Sequence, residues 1–285
     1  MSSDSADFLQ SFYWESLPLR GARCRVDGIF ARVIQGLEGP AELRQLIGEI
    51  LVGLALISST QKHFERLILQ AQSQGSLQLL VAEMMAGGGM RAYARWRGAE
   101  ENLDLAALPE ALLALTVDMG MDRDRYQGLI QLRNTLTESL QAYFTESVQA
   151  PAYFRLLVDA TSGIAGGYFL QRLPGVLTAE EWEIATGFFA VGSDQSLLQA
   201  RPEQFLPEIF PSVGVRLRDA QGLHFQCSCS QERVERMLVA LGEKEVEETL
   251  AAEGKVQVTC EYCQKVYLLD STDVAALFAP GKSLH

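Results

Sequence analysis

Apolar positions lay out this chain before anything else does. Leu43, Leu46, Ile47, Ile50, Leu54 and Ile57 recur at helical spacing behind Pro40, and predict one long helix with a proline in its first turn. At residue 66 the period drops to two. Leu67, Leu69 and Ala71 alternate with Ile68, Gln70 and Gln72. A turn at 73–76 precedes Leu77, Leu79 and Val81. Gly87, Gly88 and Gly89 make a second turn, and 90–96 a further strand, so this stretch predicts an antiparallel meander. The three glycines are a hairpin turn and no phosphate loop, because neither Lys-Ser/Thr nor a Gly-x-Gly-x-x-Gly follows.

The alternation returns at 112–117 and 126–132, around a turn of Met119, Gly120, Met121 and Asp122. Leu136, Leu140, Phe144 and Val148 predict a helix, ended by Pro151. Two more strands follow at 153–158 and 163–173, closed by Pro174 and Gly175. The opening stretch, 8–30, has little periodicity; 20–29 alternates loosely and reads as a strand. The pattern is α+β and mostly antiparallel, with a core domain over 1–176.

Residues 177–226 read as a helical linker. Thr178, Ala179, Glu180 and Glu181 have capping-box form and open a helix carrying Trp182, Ala185, Phe188 and Phe189. Leu197 and Leu198 mark a second short helix, and Pro202, Pro207 and Pro211 break up the remainder. These apolar side chains either dock as ordinary core or form a detachable surface.

The last stretch, 227–285, is different again. Val234, Met237, Leu238 and Leu241 make a helix face ended by Gly242; Val246 and Leu250 make another, ended near Gly254. Val256 and Val258 lead as a strand into Cys260. Val266, Tyr267 and Leu268 lead out of Cys263, and Asp270 caps a helix through Leu277. Four of the five cysteines fall here, as Cys227-Ser228-Cys229 and Cys260-Glu261-Tyr262-Cys263, thirty residues apart. That is the ligand count of a tetrahedral four-cysteine zinc site, with the Cys-x-x-Cys at a hairpin tip.

Composition narrows the function. The net charge of −12 argues against a nucleic-acid partner, and 231–285 is no exception, with ten acids against six bases. The first residues, with Asp4, Asp7 and Glu15, do not resemble a secretory signal, and no run approaches the ~18 apolar residues of a membrane span. A cytoplasmic, non-membrane protein is expected, in which paired cysteines are metal ligands or redox groups before they are permanent disulfides. No nucleophile–base pair supports an enzyme. His224 is a spare ligand beside a tetrahedron already filled, and His63 and His285 add nothing.

A region this small, poor in large apolar groups, needs a staple. Structural zinc contributes roughly 10–16 kcal/mol of apparent binding free energy, so its loss unfolds such a region. Zinc binds thiolates, which oxidants also attack. Cys260 and Cys263 have the spacing of reversible dithiols. Cys227 and Cys229 have Cα atoms at most about 7 Å apart, within or near disulfide range. Two readings stand: a static structural zinc site in a constitutive interaction module, and a redox switch in which oxidation ejects the metal. A thiol oxidoreductase is a third, weakened by the lack of a βαβ pattern around Cys260 and Cys263.

With these residues in view the chain resembles the heat shock protein 33 family, redox-regulated holdase chaperones of the bacterial cytosol. The marks are Cys227-Ser228-Cys229-Ser230 with Cys260-Glu261-Tyr262-Cys263, then Arg125-Tyr126-Gln127-Gly128, and Ala165-Gly166-Gly167 followed by Leu170-Gln171 and Pro174. The likeness runs from about residue 20 to residue 278. It implies one zinc per reduced, inactive chain, held by Cys227, Cys229, Cys260 and Cys263. It implies oxidation to Cys227–Cys229 and Cys260–Cys263 disulfides, zinc release, and unfolding of the C-terminal region and linker. The exposed surface then binds unfolding or aggregation-prone client proteins without ATP, as a homodimer. Trp182, Phe188, Phe189, Leu197, Leu198 and Phe205 are the candidates for that surface. Cys24 has no partner in the motif and reads as a small core hydrophobe. The linker departs from the family in charge: seven acids and three arginines in 49 residues are no richer than the chain's 21%.

Overall fold

The computed structural model describes residues 7–98, 103–120, 125–199 and 201–279. The chain divides into two compact units, Met1–Gln226 and Cys227–His285. No helix among the described residues is long and apolar enough to cross a membrane.

The first unit begins with two strands, β1 (Phe8–Trp14) and β2 (Leu19–Arg25), and two helices, α1 (Asp27–Ile34) and α2 (Ala41–Ser58). A meander of β3 (Arg66–Gln72), β4 (Leu77–Met85) and β5 (Gly89–Trp96) follows, then β6 (Leu112–Asp118), β7 (Tyr126–Gln131), α3 (Leu136–Glu146), β8 (Ala152–Asp159) and β9 (Ile164–Arg172). Three helices, α4 (Ala179–Val191), α5 (Asp194–Gln199) and α6 (Pro202–Ile209), precede the short strands β10 (Val215–Leu217), β11 (Gln221–Gly222) and β12 (His224–Phe225). One sheet runs β10-β1-β2-β9-β8, with β11 also on β1. The other runs β12-β5-β4-β3-β6-β7. Every pairing in this unit is antiparallel except β12 on β5. The fold is α+β and mostly antiparallel, as the periodicity predicts.

α2 is the middle of this unit. It touches β2, β8 and β9 of the first sheet and β3, β4 and β5 of the second. Leu46, Ile47, Ile50, Leu51, Leu54 and Ile57 are all buried, and so are Val52, Ala55 and Leu56 on its other sides. The sequence shows an apolar stripe; the structure shows a helix buried all round from Ile50 to Ser58, which suits its weak amphipathicity. Gly48 allows the close approach of β8, since a Cβ there would stand 2.5 Å from Val158 Cγ1.

Sequence and structure part at several places. The strand expected over 20–29 stops at Arg25, and Asp27 opens α1 instead. Asp7, sequence-distant, caps that helix: its carboxylate accepts from Gly28 N at 2.9 Å and Ile29 N at 2.7 Å. Pro40 is the N-cap of α2, one residue ahead of the first turn. Pro202 and Pro207 do not break the chain into pieces. Pro202 sits in the first turn of α6, where its missing N–H would have no partner anyway, and Pro207 lies inside the same helix at the loss of one backbone donor. The turn expected at 119–122 lies partly outside the described residues, as does His285.

The first sheet is apolar on both faces. Leu9, Ala22, Cys24, Ala165 and Phe169 point to the α2 side. Phe12, Trp14, Leu19, Tyr168 and Leu170 point the other way, against Ala185, Phe189, Leu197, Phe205 and Leu206 of α4–α6. Residues 177–226 thus cover one face of the first sheet and then return as strands, β10 and β11 beside β1 and β12 beside β5 of the second sheet.

The second unit holds α7 (Gln231–Leu241), α8 (Glu243–Glu253), the hairpin β13 (Val256–Thr259) and β14 (Val266–Leu269), and α9 (Ser271–Leu277). Gly242 and Gly254 end the two helices with φ of 111° and 73°, and Asp270 with Asp273 forms a capping box on α9. Its core is small: Val234, Leu238, Val246, Val256, Tyr267, Leu269, Val274 and Leu277.

Candidate metal centre

Two short backbone devices aim the four sulfurs. Cys227, Ser228 and Cys229 lie outside any helix or strand and lead into Ser230, whose hydroxyl caps α7 by accepting from Arg233 N at 3.2 Å. Arg233 reaches back and donates from Nη1 to Ser228 O at 3.0 Å and Ser228 Oγ at 2.6 Å, tying this segment to the helix. Cys260 and Cys263 sit in the tip of the β13–β14 hairpin. Cys260 N donates to Lys265 O at 3.0 Å, and Gln264 N to Cys260 O at 2.9 Å. The reversal is completed by Gln264 in the left-handed region, with φ 59°.

The sulfurs of Cys227, Cys229, Cys260 and Cys263 all lie within 4.8 Å of one another. Two contacts cross between the pairs: Cys227 to Cys260 at 3.7 Å and Cys229 to Cys263 at 3.3 Å. In a tetrahedral zinc–thiolate site, with bonds of about 2.3 Å, neighbouring sulfurs stand about 3.8 Å apart. The cluster fits a four-coordinate soft metal, and all five cysteines are free thiols. Among the described residues it is the single grouping of this kind, and His224 takes no part in it.

The thiols do not ionise alike. Burial pushes Cys263 up to about 12, against the Lys265 N–H that favours its thiolate. Burial also raises Cys227, against the Cys229 N–H. Burial opposes the Cys229 thiolate too, but the Tyr267 hydroxyl and the surrounding thiols outweigh it and bring Cys229 down to about 7. The Tyr267 hydroxyl is buried with no oxygen or nitrogen partner, and its contact with the Cys229 sulfur lifts it to about 12. One thiolate therefore forms readily and resists the next by like charge, a resistance that a divalent cation removes. Backbone N–H groups on Cys227 and Cys263 supply the hydrogen bonds that thiolate ligands take.

The six apolar residues expected as a client surface lie in one cluster against the first sheet. Phe189, Leu197 and Phe205 are buried there, and Trp182, Phe188 and Leu198 are partly buried. Phe188 stacks on Phe205 with ring centroids 5.5 Å apart. What the periodicity did not reveal is the polar clamp on α5. Tyr168 donates to Leu197 O at 2.8 Å, Arg25 Nη1 to Leu198 O at 3.2 Å, and Arg155 pairs with Asp194 at 2.7 Å. A cavity of about 620 Å³ remains under α5, lined by Arg25, Leu157, Ile164, Asp194 and Leu198. Cys24 is buried with its sulfur 3.9 Å from Val52 O, and burial raises its thiol far above the ordinary range.

Residues 7–270 match the model of the family described as Hsp33 protein. The 33 kDa chaperonin of Azotobacter vinelandii is 35% identical over 97% of this chain and 96% of its own. That of Nitrosococcus oceani is 32% identical over 96% and 95%. The crystal structure of the 33 kDa chaperonin of Thermotoga maritima, a heat shock protein 33 homolog, superposes with a TM-score of 0.79 at 23% identity, covering 95% of this chain and 97% of that one, a likeness of fold. A match across both units, joined to the Cys-x-Cys and Cys-x-x-Cys geometry, decides the matter: this chain belongs to the Hsp33 family.

Proposed function

We propose that this protein is a chaperone of the holdase type, switched by oxidation of a zinc centre. The observation that carries the reading is the convergence of four thiols on one point inside a unit whose buried core has only eight apolar residues. Such a unit depends on its metal for folding. In the reduced state Cys227, Cys229, Cys260 and Cys263 hold one zinc ion, which supplies the cross-link that the small core lacks. Oxidation withdraws ligands in pairs, Cys227 with Cys229 and Cys260 with Cys263, and each disulfide takes two thiolates away. The metal leaves and the second unit loses its staple.

The linker, 177–226, is the second element to go. Its helices are held on the first sheet by one apolar layer, with Phe189, Leu197, Phe205 and Leu206 buried, and α5 is held in addition by the polar clamp beside a cavity of about 620 Å³. Its release bares Phe12, Trp14, Leu19, Tyr168 and Leu170, together with its own Trp182, Phe188, Phe189, Leu197, Leu198 and Phe205. Apolar surface of that extent suits unfolding or aggregation-prone proteins and needs no nucleotide. It also suits self-association, and the active form is a homodimer in the cytoplasm. The names of the relatives, 33 kDa chaperonins, agree with a chaperone and with no enzymatic step.

The test follows zinc release with a chromogenic chelator during peroxide treatment, with light scattering of an aggregating client read on the same samples. Release of about one zinc per chain together with new suppression of aggregation supports the switch. Zinc retained through oxidation, or client suppression equal in the reduced protein, overturns it and leaves a structural zinc module.

A further inference from the structure

Tyr126 and Gln171 lie on different sheets of the first unit, yet they line one cavity of about 270 Å³ at an end of the α2 layer. Gln171 is 4% exposed, and its Oε1 accepts from Arg20 Nε at 2.8 Å and Nη2 at 2.6 Å. Arg20 and Gln171 are direct cross-strand partners on β2 and β9. From α3, Tyr143 is buried and its hydroxyl faces that of Tyr126; burial first and Tyr126 second raise its pKa above the ordinary phenol range. Gly128 makes the space for this ring, since a Cβ there would stand 2.6 Å from Tyr143 Cε2. Leu115, Phe144 and Val148 complete an apolar wall.

Arg20 is the group in this cavity without an answer. Burial and the neighbouring Arg218 guanidinium act on it, and both disfavour its charge. No acidic side chain among the described residues pairs with it, and its Nη1 has no hydrogen-bond partner among them. The Gln171 oxygen takes two N–H groups but brings no charge. A guanidinium held half out of water, beside two phenol hydroxyls and with no counter-charge, is built to meet an anion, and its planar fork suits a carboxylate.

We infer that this cavity binds a small carboxylate with an apolar body. Arg20 takes the carboxylate, the Tyr126 and Tyr143 hydroxyls lie within the same polar end, and Leu115, Phe144 and Val148 receive the body. The volume admits a group about the size of one amino acid and excludes an extended ligand. Two sources share this chemistry: a free carboxylic acid, and the C-terminal carboxylate of a polypeptide. The site stands apart from the chaperone reading; only the second source rests on it.

The experiment titrates the full-length reduced protein with N-acetyl-leucine, with N-acetyl-leucinamide, and with a short peptide ending in leucine, as free acid and as amide, by NMR chemical-shift mapping. The acid is expected to saturate with Kd of about 1 mM or below, and the amide to bind at least ~10-fold more weakly. Arg20→Met abolishes the acid's binding. Tyr126→Phe, at the open mouth, weakens it several-fold with far-UV circular dichroism unchanged, so one variant reports even where the other fails to fold. Peptide acid binding as well as N-acetyl-leucine assigns the site to chain ends; exclusion of the peptide with binding of the small acid assigns it to a free acid. No saturation by the acid up to about 10 mM, equal binding of acid and amide, or parent-like binding by Tyr126→Phe overturns the proposal. A chaperone assay that fails leaves these titrations intact, and the reverse holds too.

Discussion

The Tyr168 hydroxyl donates to the Leu197 carbonyl at 2.8 Å, from the middle of a central strand to a six-residue helix. It is a buried bond, and one of three polar contacts that clamp this helix. Removing the hydroxyl leaves a buried carbonyl unsatisfied, at a cost of about 1–3 kcal/mol. Tyr168→Phe is therefore expected to raise hydrogen exchange in 194–199 by roughly 5- to 100-fold while β2 and β9 keep their protection. Exchange read by mass spectrometry checks this; uniform acceleration across both sheets would mean the bond supports the whole unit instead.

Cys24 is predicted to be silent. Its thiol is 2% exposed and burial holds it protonated, so its thiolate population is small at any working pH. After chelation of the metal, iodoacetamide should modify the other four cysteines within the time that leaves Cys24 untouched. Peptide mapping settles it. Modification of Cys24 at a matching rate would show that the first unit opens as well.

Gln264, between Cys263 and β14, carries a left-handed backbone with φ 59°. A β-branched residue there is strained by about 1–2 kcal/mol, and glycine relieves strain already present. Gln264→Val should weaken metal retention by roughly 5- to 30-fold in competition with a chelator, and Gln264→Gly should hold it as well as the parent. A valine variant as retentive as the parent would show that the tip is not set by this residue.

Acid should loosen α4 from its first turn. Hydrogen bonds from the Thr178 backbone and hydroxyl hold the Glu181 carboxyl below its ordinary 4.5. A depressed folded value means stabilisation that is complete above about 4.5 and lost as the pH falls through the folded value. Glu181→Gln should remove that pH dependence. Exchange of the α4 amides at pH 6 and pH 3.5, corrected for intrinsic rates, measures it; equal acid sensitivity in parent and variant would place the cause elsewhere.

What was legible in the sequence was local. The cysteines announce their chemistry because two short spacings, Cys227 to Cys229 and Cys260 to Cys263, each fit one turn. The meander at 66–96 is legible because β3 alternates and the turns at 73–76 and 87–89 separate the apolar runs, although β4 and β5 carry runs of consecutive buried residues. The start of the chain was not, because Arg20, Arg23 and Arg25 interrupt the alternation of β2, and because the cap of α1 comes from Asp7, twenty-one positions away from Gly28. β10 is hidden for the same reason: Val215 to Leu217 pair with Trp14 to Phe12, and nothing in three residues names so distant a partner. Arg20, Gln171 and Tyr126 gave no joint signal either, since only the folding of both sheets onto α2 brings them together.

The first sheet has two apolar faces, and only one of them belongs to the α2 core. A protein that sheds the cover from the other face keeps its template. Recovery is then docking of three short helices onto an ordered surface, a search over few residues rather than a refolding from the random chain. On the proposed switch, the rate of return should follow the re-forming of the metal site, while the two sheets and α2 keep their order throughout.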